Sequence, residues 1–151
     1  MNAGMIEVAL QRALTAYAGK VDKGGKPYIL HPLRLMAQLH DTEGQCVALL
    51  HDVIEDSDIT ADDLRLDGFP ESVVSAVEAL TKRQGEAYET FIERVRPHPL
   101  ARRIKLLDIE DNLNLLRLSV VTAHDLERVA KYHRAWLLLS TSQTAHDSLP
   151  S

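Results

Sequence analysis

The sequence predicts a single all-α domain over residues 1–151, a bundle of about seven to eight helices. Apolar residues recur at helical spacing along most of the chain. Proline and glycine stand between these segments, where such residues begin and end helices. No segment shows a convincing strand pattern, and a chain of 151 residues can enclose one full-sized core.

The helices are predicted in chain order from these signals. The first runs from Met5 to Ala18 and ends at Gly19. A loop follows, and Pro32 fits the first position of a second helix that runs to about Leu39. A short helix is predicted to begin at a capping box at Thr60, and the tail from about 141 is predicted to fray. The other helices are predicted over 43–54 and over about 70–80, 88–95, 100–118 and 125–140.

Composition disfavours several classes of function. No apolar run approaches the roughly 18 residues of a membrane span. The first residues lack the basic start and apolar run of a signal peptide. The single cysteine, Cys46, suits a reducing cytoplasm, and the net charge of −5 disfavours a general nucleic-acid binder. We therefore expect a cytoplasmic protein with no nucleic-acid and no membrane partner, while the possibility of a homo-oligomer stays open.

Charge is unevenly distributed along the chain. From Asp41 to Glu78 there are eleven acidic residues against one basic residue, Arg65. From Lys82 to Lys105 there are seven basic residues against three glutamates. An acidic half suited to a metal ion therefore precedes a basic half suited to an anion.

The stretch Leu-Leu-His-Asp-Val-Ile-Glu-Asp, residues 49–56, carries the most informative pattern. His51 and Glu55 are one helical turn apart, as are Asp52 and Asp56, so four ionisable groups share one side of an apolar helix. Buried carboxylates are costly unless their charge is compensated, and a divalent metal would compensate it. His51 and Asp52 would then be ligands, leaving Glu55 and Asp56 to handle water. The alternative is a solvated helix face.

Two further residues are candidates for the same site. His31 precedes Pro32 at the start of the second helix, and Asp108 lies in an apolar stretch, with Asn112 one turn later on the same face. Two imidazoles and two carboxylates suit a transition metal such as Mn, Fe, Co or Zn.

These motifs resemble the HD metal-dependent phosphohydrolases, and more closely the hydrolase domain of RelA/SpoT-type alarmone enzymes. The resemblance runs from about Val8 to Arg117 and implies an HD-domain helical bundle. Because the chain is too short to include a synthetase domain, it resembles a stand-alone small alarmone hydrolase of the metazoan SpoT-homologue type. The matching motifs are Pro27-Tyr28-Ile29-Leu30-His31-Pro32, Leu49 to Asp56, Leu80-Thr81-Lys82, Tyr88-x-x-Phe91-x-x-Arg94 and Lys105-Leu-Leu-Asp108-x-x-x-Asn112.

The resemblance implies removal of the 3′-pyrophosphate of (p)ppGpp, or of a closely related nucleotide such as (p)ppApp, with release of pyrophosphate. It implies that Mn²⁺ is the cofactor and that Glu55 and Asp56 position and activate water. The implied metal ligands are His31, His51, Asp52 and Asp108. The implied substrate contacts are Lys23, Tyr28, Lys82, Tyr88, Arg94 and Asn112, with Lys105 flanking the site.

The chain departs from the family around the substrate loop. Asp22-Lys23 stands where the family has Arg-Lys, and that arginine is expected to pack on the nucleobase. Tyr17 replaces a histidine and Lys20 replaces a glutamine. Asp22 is therefore either a carboxylate acceptor for the base or a loop residue that points into solvent, and the base preference stays open.

Two other functions remain open from the sequence. One is an HD phosphatase acting on another nucleotide, such as NADPH or a nucleoside monophosphate. The other is a protein that binds the alarmone without turnover. The presence of both Glu55 and Asp56 favours an enzyme, because a binding protein needs no pair of water-activating carboxylates.

Overall fold

The computed structural model describes residues 4–147, with side chains through residue 141. Within this range the regular structure is helical, apart from one antiparallel bridge between Val21 and Pro27, so the all-α class is confirmed. A 3₁₀ turn spans Leu115–Arg117. The helices are α1 (Met5–Ala16), α2 (Leu30–Ala37), α3 (Thr42–Leu50), α4 (Val53–Asp56), α5 (Ala61–Leu66), α6 (Glu71–Ala79), α7 (Tyr88–Val95), α8 (Pro99–Asn112) and α9 (Ala123–Asp147).

The predicted third helix is divided at the residues that carry its polar motif. Helix α3 ends at Leu50, and Asp52 has ψ of 5°, outside the helical range. The Asp52 N–H instead donates to the Tyr17 hydroxyl at 3.2 Å, and this hydroxyl donates to the Leu49 carbonyl at 3.4 Å. The prediction of one continuous helix over 43–54 was wrong, because Tyr17, the residue directly after α1, satisfies the backbone where the helix breaks.

Other helix ends differ by smaller amounts. Helix α2 begins at Leu30, so Pro32 occupies the third position, where a missing N–H is still tolerated. Helix α8 ends at Asn112 and not at 118, because Asn114 caps the following 3₁₀ turn. Helix α9 continues beyond the predicted end near 140 as far as Asp147. The predicted frayed tail includes 148–151, which lie outside the described residues.

The capping box predicted at Thr60 is confirmed. The Thr60 hydroxyl accepts from the Asp63 N–H at 3.1 Å, and the Asp63 carboxylate accepts from the Thr60 N–H at 2.9 Å. A second reciprocal pair joins Thr122 and Asp125 at the start of α9. These pairs satisfy backbone donors that a helix start leaves without partners.

Helix α3 lies at the centre of the bundle. Its residues 46–50 are fully buried, and it packs against α1, α2, α6 and α8. A helix that is apolar on all sides belongs in the interior. His51 follows directly from this helix, so the polar motif begins where the most deeply buried element ends. None of the helices in the described range is long and apolar enough to cross a bilayer.

We expect Leu49→Ala to destabilise the protein by about 2–5 kcal/mol, since it would leave a cavity in the core. Urea denaturation gives this free energy of unfolding. Leu66→Ala is the matched control because Leu66 is 85% exposed, and its effect should stay within about 0.5 kcal/mol. Similar losses for the two variants would contradict a central position for α3.

Candidate metal centre and active site

Three predicted metal ligands meet at one point in the interior. His31 comes from α2, His51 follows α3, and Asp108 comes from α8. All three are buried, and one ligand atom from each lies within 4.8 Å of the others. Asp52 borders this group, with its Oδ2 atom 3.1 Å from His51 Nε2. The fold therefore brings the four predicted ligands together, three of them in a tight buried group.

The hydrogen bonds of His51 fit a metal ligand. Its Nδ1 atom lies 2.7 Å from the Ala48 carbonyl, which can only accept, so Nδ1 carries the proton. Nε2 is buried without a hydrogen-bond partner, and it faces the Asp52 and Asp108 carboxylates at 3.1 and 3.5 Å. A lone pair facing two carboxylates is unfavourable unless a proton or a cation lies between them. A divalent metal fits this set of donors.

The Asp108 carboxylate is held from several directions. Its Oδ1 atom lies 2.7 Å from His31 Nε2 and accepts from the Asn112 amide at 3.1 Å. Lys105 Nζ donates to Oδ2 at 2.8 Å. Burial works to raise the pKa of Asp108, but Lys105 and the two histidines outweigh it and hold that pKa well below its usual range. Asp108 is therefore ionised and suited to bind a cation.

The pKa values of the two histidines shift in the opposite direction to that of Asp108. Burial works to lower the pKa of His51, but Asp52 and Asp108 outweigh it and raise that pKa well above its usual range. The pKa of His31 is also raised, because Asp108 and Asp111 outweigh its burial. Protons thus compete with a metal for these two rings, and metal binding has to release them.

The Asp52 carboxylate accepts a short hydrogen bond from the Tyr28 hydroxyl. The Tyr28 ring makes an edge contact with Tyr17, with ring centroids 5.0 Å apart. Burial would raise the pKa of Asp52, but His51 outweighs it and lowers that pKa. Tyr28 and Tyr17 therefore orient Asp52 at the break between α3 and α4.

Glu55 and Asp56 lie on α4 beside this group and reach solvent. Burial, with Asp52 adding to it, raises the pKa of each carboxyl group. The Lys82 backbone N–H donates to Glu55, and Lys20 Nζ donates to the Asp56 carbonyl at 2.6 Å. A carboxylate with a raised pKa is a stronger proton acceptor, as a general base requires.

A cavity of about 350 Å³ opens beside His31. The predicted substrate residues Asp22, Lys23, Tyr28 and Asn112 line it. Other lining residues were not predicted, although Arg128 and Tyr132 are one turn apart on α9 and could have been recognised as one helix face. The unpredicted polar and aromatic lining residues are Arg34, Asp111, Asn114, Arg117, Arg128 and Tyr132.

Asp22 does not simply point into solvent. Its Oδ1 atom accepts from the backbone N–H groups of Gly24 and Lys26, each at 2.9 Å, while the residue lines the cavity. Gly24 allows a close approach, since a Cβ there would lie 2.9 Å from the Arg117 carbonyl. The carboxylate therefore braces the loop that forms one wall of the cavity.

Three predicted substrate contacts are not among the residues that line the cavity. Arg94 is paired with Glu86 at 2.9 and 3.0 Å and donates to the Thr81 carbonyl, so it holds the loop that carries Lys82. The Tyr88 ring packs on Tyr132, with centroids 6.0 Å apart, and burial raises its pKa to about 12. Substrate binding by Lys82, Tyr88 and Arg94 stays a prediction.

The fold and the site define an all-α protein with a buried histidine–aspartate cluster next to a polar cavity. A solved structure with this architecture is a metazoan orthologue of SpoT that hydrolyses ppGpp and plays a role in starvation responses. The match has a TM-score of 0.69 and covers 99% of each chain, at 22% sequence identity. The chain therefore has the fold of that protein.

Sequence comparison points to the same group. The chain is 33% identical over 127 residues to the guanosine-3′,5′-bis(diphosphate) 3′-pyrophosphohydrolase of Aquifex aeolicus, covering 76% of this chain and 18% of the relative. It is 33% identical over 132 residues to the enzyme of the same name from Haemophilus influenzae, covering 79% and 19%. A GTP pyrophosphokinase of Streptomyces coelicolor matches at 33% over 125 residues, covering 74% and 15%.

The chain thus spans about a fifth or less of the length of these relatives. No family model matches it. The predicted resemblance to RelA/SpoT-type enzymes is confirmed by the sequence similarity and by the fold.

We expect His51→Ala and Asp108→Ala to abolish stoichiometric Mn²⁺ binding, because each removes a donor from the buried group. Metal content after dialysis, measured by atomic emission, tests this, with circular dichroism to confirm folding. His124→Ala is the control, since that side chain is 75% exposed and distant in sequence from the cluster. Full metal retention by both folded variants would rule out this site.

Proposed function

We propose that this chain is a single-domain, HD-type phosphohydrolase that removes the 3′-pyrophosphate of (p)ppGpp or of (p)ppApp. Two observations support the proposal: the buried His51 Nε2 atom that faces two carboxylates, and the similarity to proteins named ppGpp 3′-pyrophosphohydrolases. The free, buried Cys46 is consistent with a reducing cytoplasm as its location.

The metal we propose is Mn²⁺, held by His31, His51, Asp52 and Asp108. When bound, it would supply positive charge that polarises a phosphoryl oxygen and lowers the pKa of water. An all-aliphatic interior could not hold such charge, but here the donor set combines two imidazoles with two ionised carboxylates. Other divalent transition metals fit the same donors.

The carboxylates of α4 would accept the proton that the attacking water loses. Glu55 and Asp56 lie next to the ligand group, and their raised pKa values favour accepting a proton from water. The oxygen of that water forms a bond to the phosphorus attached to the 3′-oxygen. The bond between this phosphorus and the 3′-oxygen breaks, and the 3′-oxygen takes up the proton that the carboxylate accepted from water. The products are pyrophosphate and a nucleotide that keeps its 5′-phosphates and has a free 3′-hydroxyl group.

The basic residues around the cavity would bind the phosphates of the substrate. Lys23, Arg34, Arg117 and Arg128 line it and give its wall positive charge, which attracts phosphate oxygens. The arginines also pair with Asp111 and Asp125, so they would act on the phosphates mainly through this charge. Tyr132 offers an aromatic face in the same cavity. A compact nucleotide with several phosphates therefore suits this cavity better than an uncharged substrate.

Release of pyrophosphate or phosphate from a panel of nucleotides tests the proposal. The panel contains ppGpp, ppApp, NADPH and nucleoside monophosphates, each with Mn²⁺ and with excess chelator. We expect chelator-sensitive pyrophosphate release from ppGpp or ppApp. Phosphate release from NADPH or a monophosphate alone would favour the alternative HD phosphatase, and binding without any turnover would favour an alarmone-binding protein.

We expect Glu55→Gln and Asp56→Asn to lower turnover by about 10²-fold or more while Mn²⁺ and substrate still bind, because each removes the proton acceptor and keeps the shape. Single-turnover kinetics and a separate binding titration measure the two effects. Glu7→Gln, on the exposed face of α1, is the control for loss of one carboxylate. Near-normal turnover in both α4 variants would mean that the pair is only a polar helix end.

We also expect similar hydrolysis of ppGpp and ppApp, with kcat/KM values within about tenfold, a difference of roughly 1.4 kcal/mol. No arginine stands at position 22 to stack on guanine, a contact worth about 1 kcal/mol. The Asp22 carboxylate that replaces it already accepts two N–H groups from its own loop. Side-by-side kinetics with Mn²⁺ decide the matter, and a preference of about a hundredfold for guanine would make Asp22 a reader of the base.

A further inference from the structure

Asp111 is a buried carboxylate that the proposed reaction does not use. It lies on α8 one turn after Asp108, and its side chain is only 8% exposed. Its Oδ2 atom is 2.6 Å from His31 Nδ1, on the side of the ring opposite to Asp108. A carboxylate in this place needs a reason, because burying its charge is costly.

The contact determines which nitrogen of His31 faces the metal ligands. An ionised carboxylate only accepts hydrogen bonds, so His31 Nδ1 carries the proton that points at Asp111. Once Nε2 has lost its proton to a bound metal, the neutral ring presents the lone pair of Nε2 toward Asp108 and His51. Metal-binding histidines usually donate their other ring N–H to a carboxylate or carbonyl, which fixes the ring and makes it a better ligand.

Two arginines hold Asp111 in position. Arg34 Nε donates to Oδ1 and Arg34 Nη2 donates to Oδ2, each at 2.9 Å, which is a bidentate pair of fixed geometry. Arg117 Nη2 lies 3.3 Å from Oδ2 and also donates to the Asp111 carbonyl. The carboxylate therefore cannot rotate away from His31 without breaking these bonds.

The other contacts of the His31 ring are less directional. Its centroid lies 5.5 Å from that of Tyr28 and 5.3 Å from that of His51, and neither contact is a hydrogen bond between the rings. These neighbours restrict the space around the ring without selecting a tautomer. Asp111 is the neighbour outside the ligand group that does so.

We propose that Asp111 is a positioning residue for the metal centre. It sets the tautomer and the orientation of His31, and Arg34 and Arg117 hold it in place from the cavity wall. The inference rests on the metal site of the proposed function, but it does not depend on which nucleotide is hydrolysed.

Mn²⁺ binding measured from the electron paramagnetic resonance signal of the free ion tests the inference. We expect Asp111→Ala to raise the Kd for Mn²⁺ by about 10- to 100-fold. Asp111→Asn keeps an acceptor oxygen without the charge, so it should weaken binding by less. The visible spectrum of the Co²⁺-loaded protein should also change, since the ligand field reports the orientation of His31.

Arg103→Gln is the matched control. Arg103 also lies on α8 and forms an ion pair with a carboxylate outside that helix, that of Asp41, at 2.9 Å. The substitution removes an arginine–carboxylate ion pair between α8 and another segment, and neither residue contacts a proposed metal ligand. We expect it to leave the Kd for Mn²⁺ and the Co²⁺ spectrum unchanged.

A purely structural Asp111 would give the opposite pattern. The metal-free variants would lose thermal stability, while folded Asp111→Ala and Asp111→Asn would bind Mn²⁺ with the wild-type Kd, and this result would overturn the inference. If Asp111→Ala does not fold, the Kd of Asp111→Asn for Mn²⁺ decides whether the inference holds. Wild-type protein that binds Mn²⁺ but hydrolyses no alarmone would overturn the proposed function alone, and weaker Mn²⁺ binding by the variants would still support the role of Asp111.

Discussion

The structure depends on the compensation of charge at the end of helix α3, whose last five residues are buried on all sides. Residues 46–50 of α3 have no exposed surface, and the chain continues directly into His51 and Asp52. Unpaired charge in this place would cost several kcal/mol, a large fraction of the stability of one domain. Opposite charges therefore have to converge from other elements. The clustering of these side chains therefore stabilises the fold as well as serving the proposed chemistry.

The break between α3 and α4 lies at the charged end of this helix. At this turn the Asp52 carboxylate lies 3.1 Å from His51 Nε2, and the backbone of Asp52 has left the helical conformation. The Tyr17 hydroxyl stabilises the turn by accepting a hydrogen bond from the Asp52 N–H. The Tyr17 hydroxyl, at a position where the resemblance predicts a histidine, therefore holds the backbone of the site.

Much of the candidate site could be predicted because its residues are polar while their neighbours in the sequence are apolar. His51, Asp52 and Asp108 are polar residues in apolar segments, and such exceptions need a partner or a function. Asp111 could not be recognised in the same way, since it lies in a polar stretch with Glu110 and Asn112 where a solvated residue is the usual interpretation. The break at His51 was also unpredictable, because it depends on a side chain 35 positions away. Local periodicity contains no information on such tertiary hydrogen bonds.

Protons on the two histidines can offset part of the negative charge of the carboxylates. The raised pKa values of His31 and His51 mean that their contribution to stability is present at low pH and is lost as the pH rises through the folded-state values. The lowered pKa of Asp108 means that its contribution is present at neutral pH and is lost as the pH falls through its folded-state value. Between these limits, protonated imidazoles face ionised carboxylates and the cluster neutralises itself. A divalent cation would displace those protons, so metal binding should weaken as the pH falls.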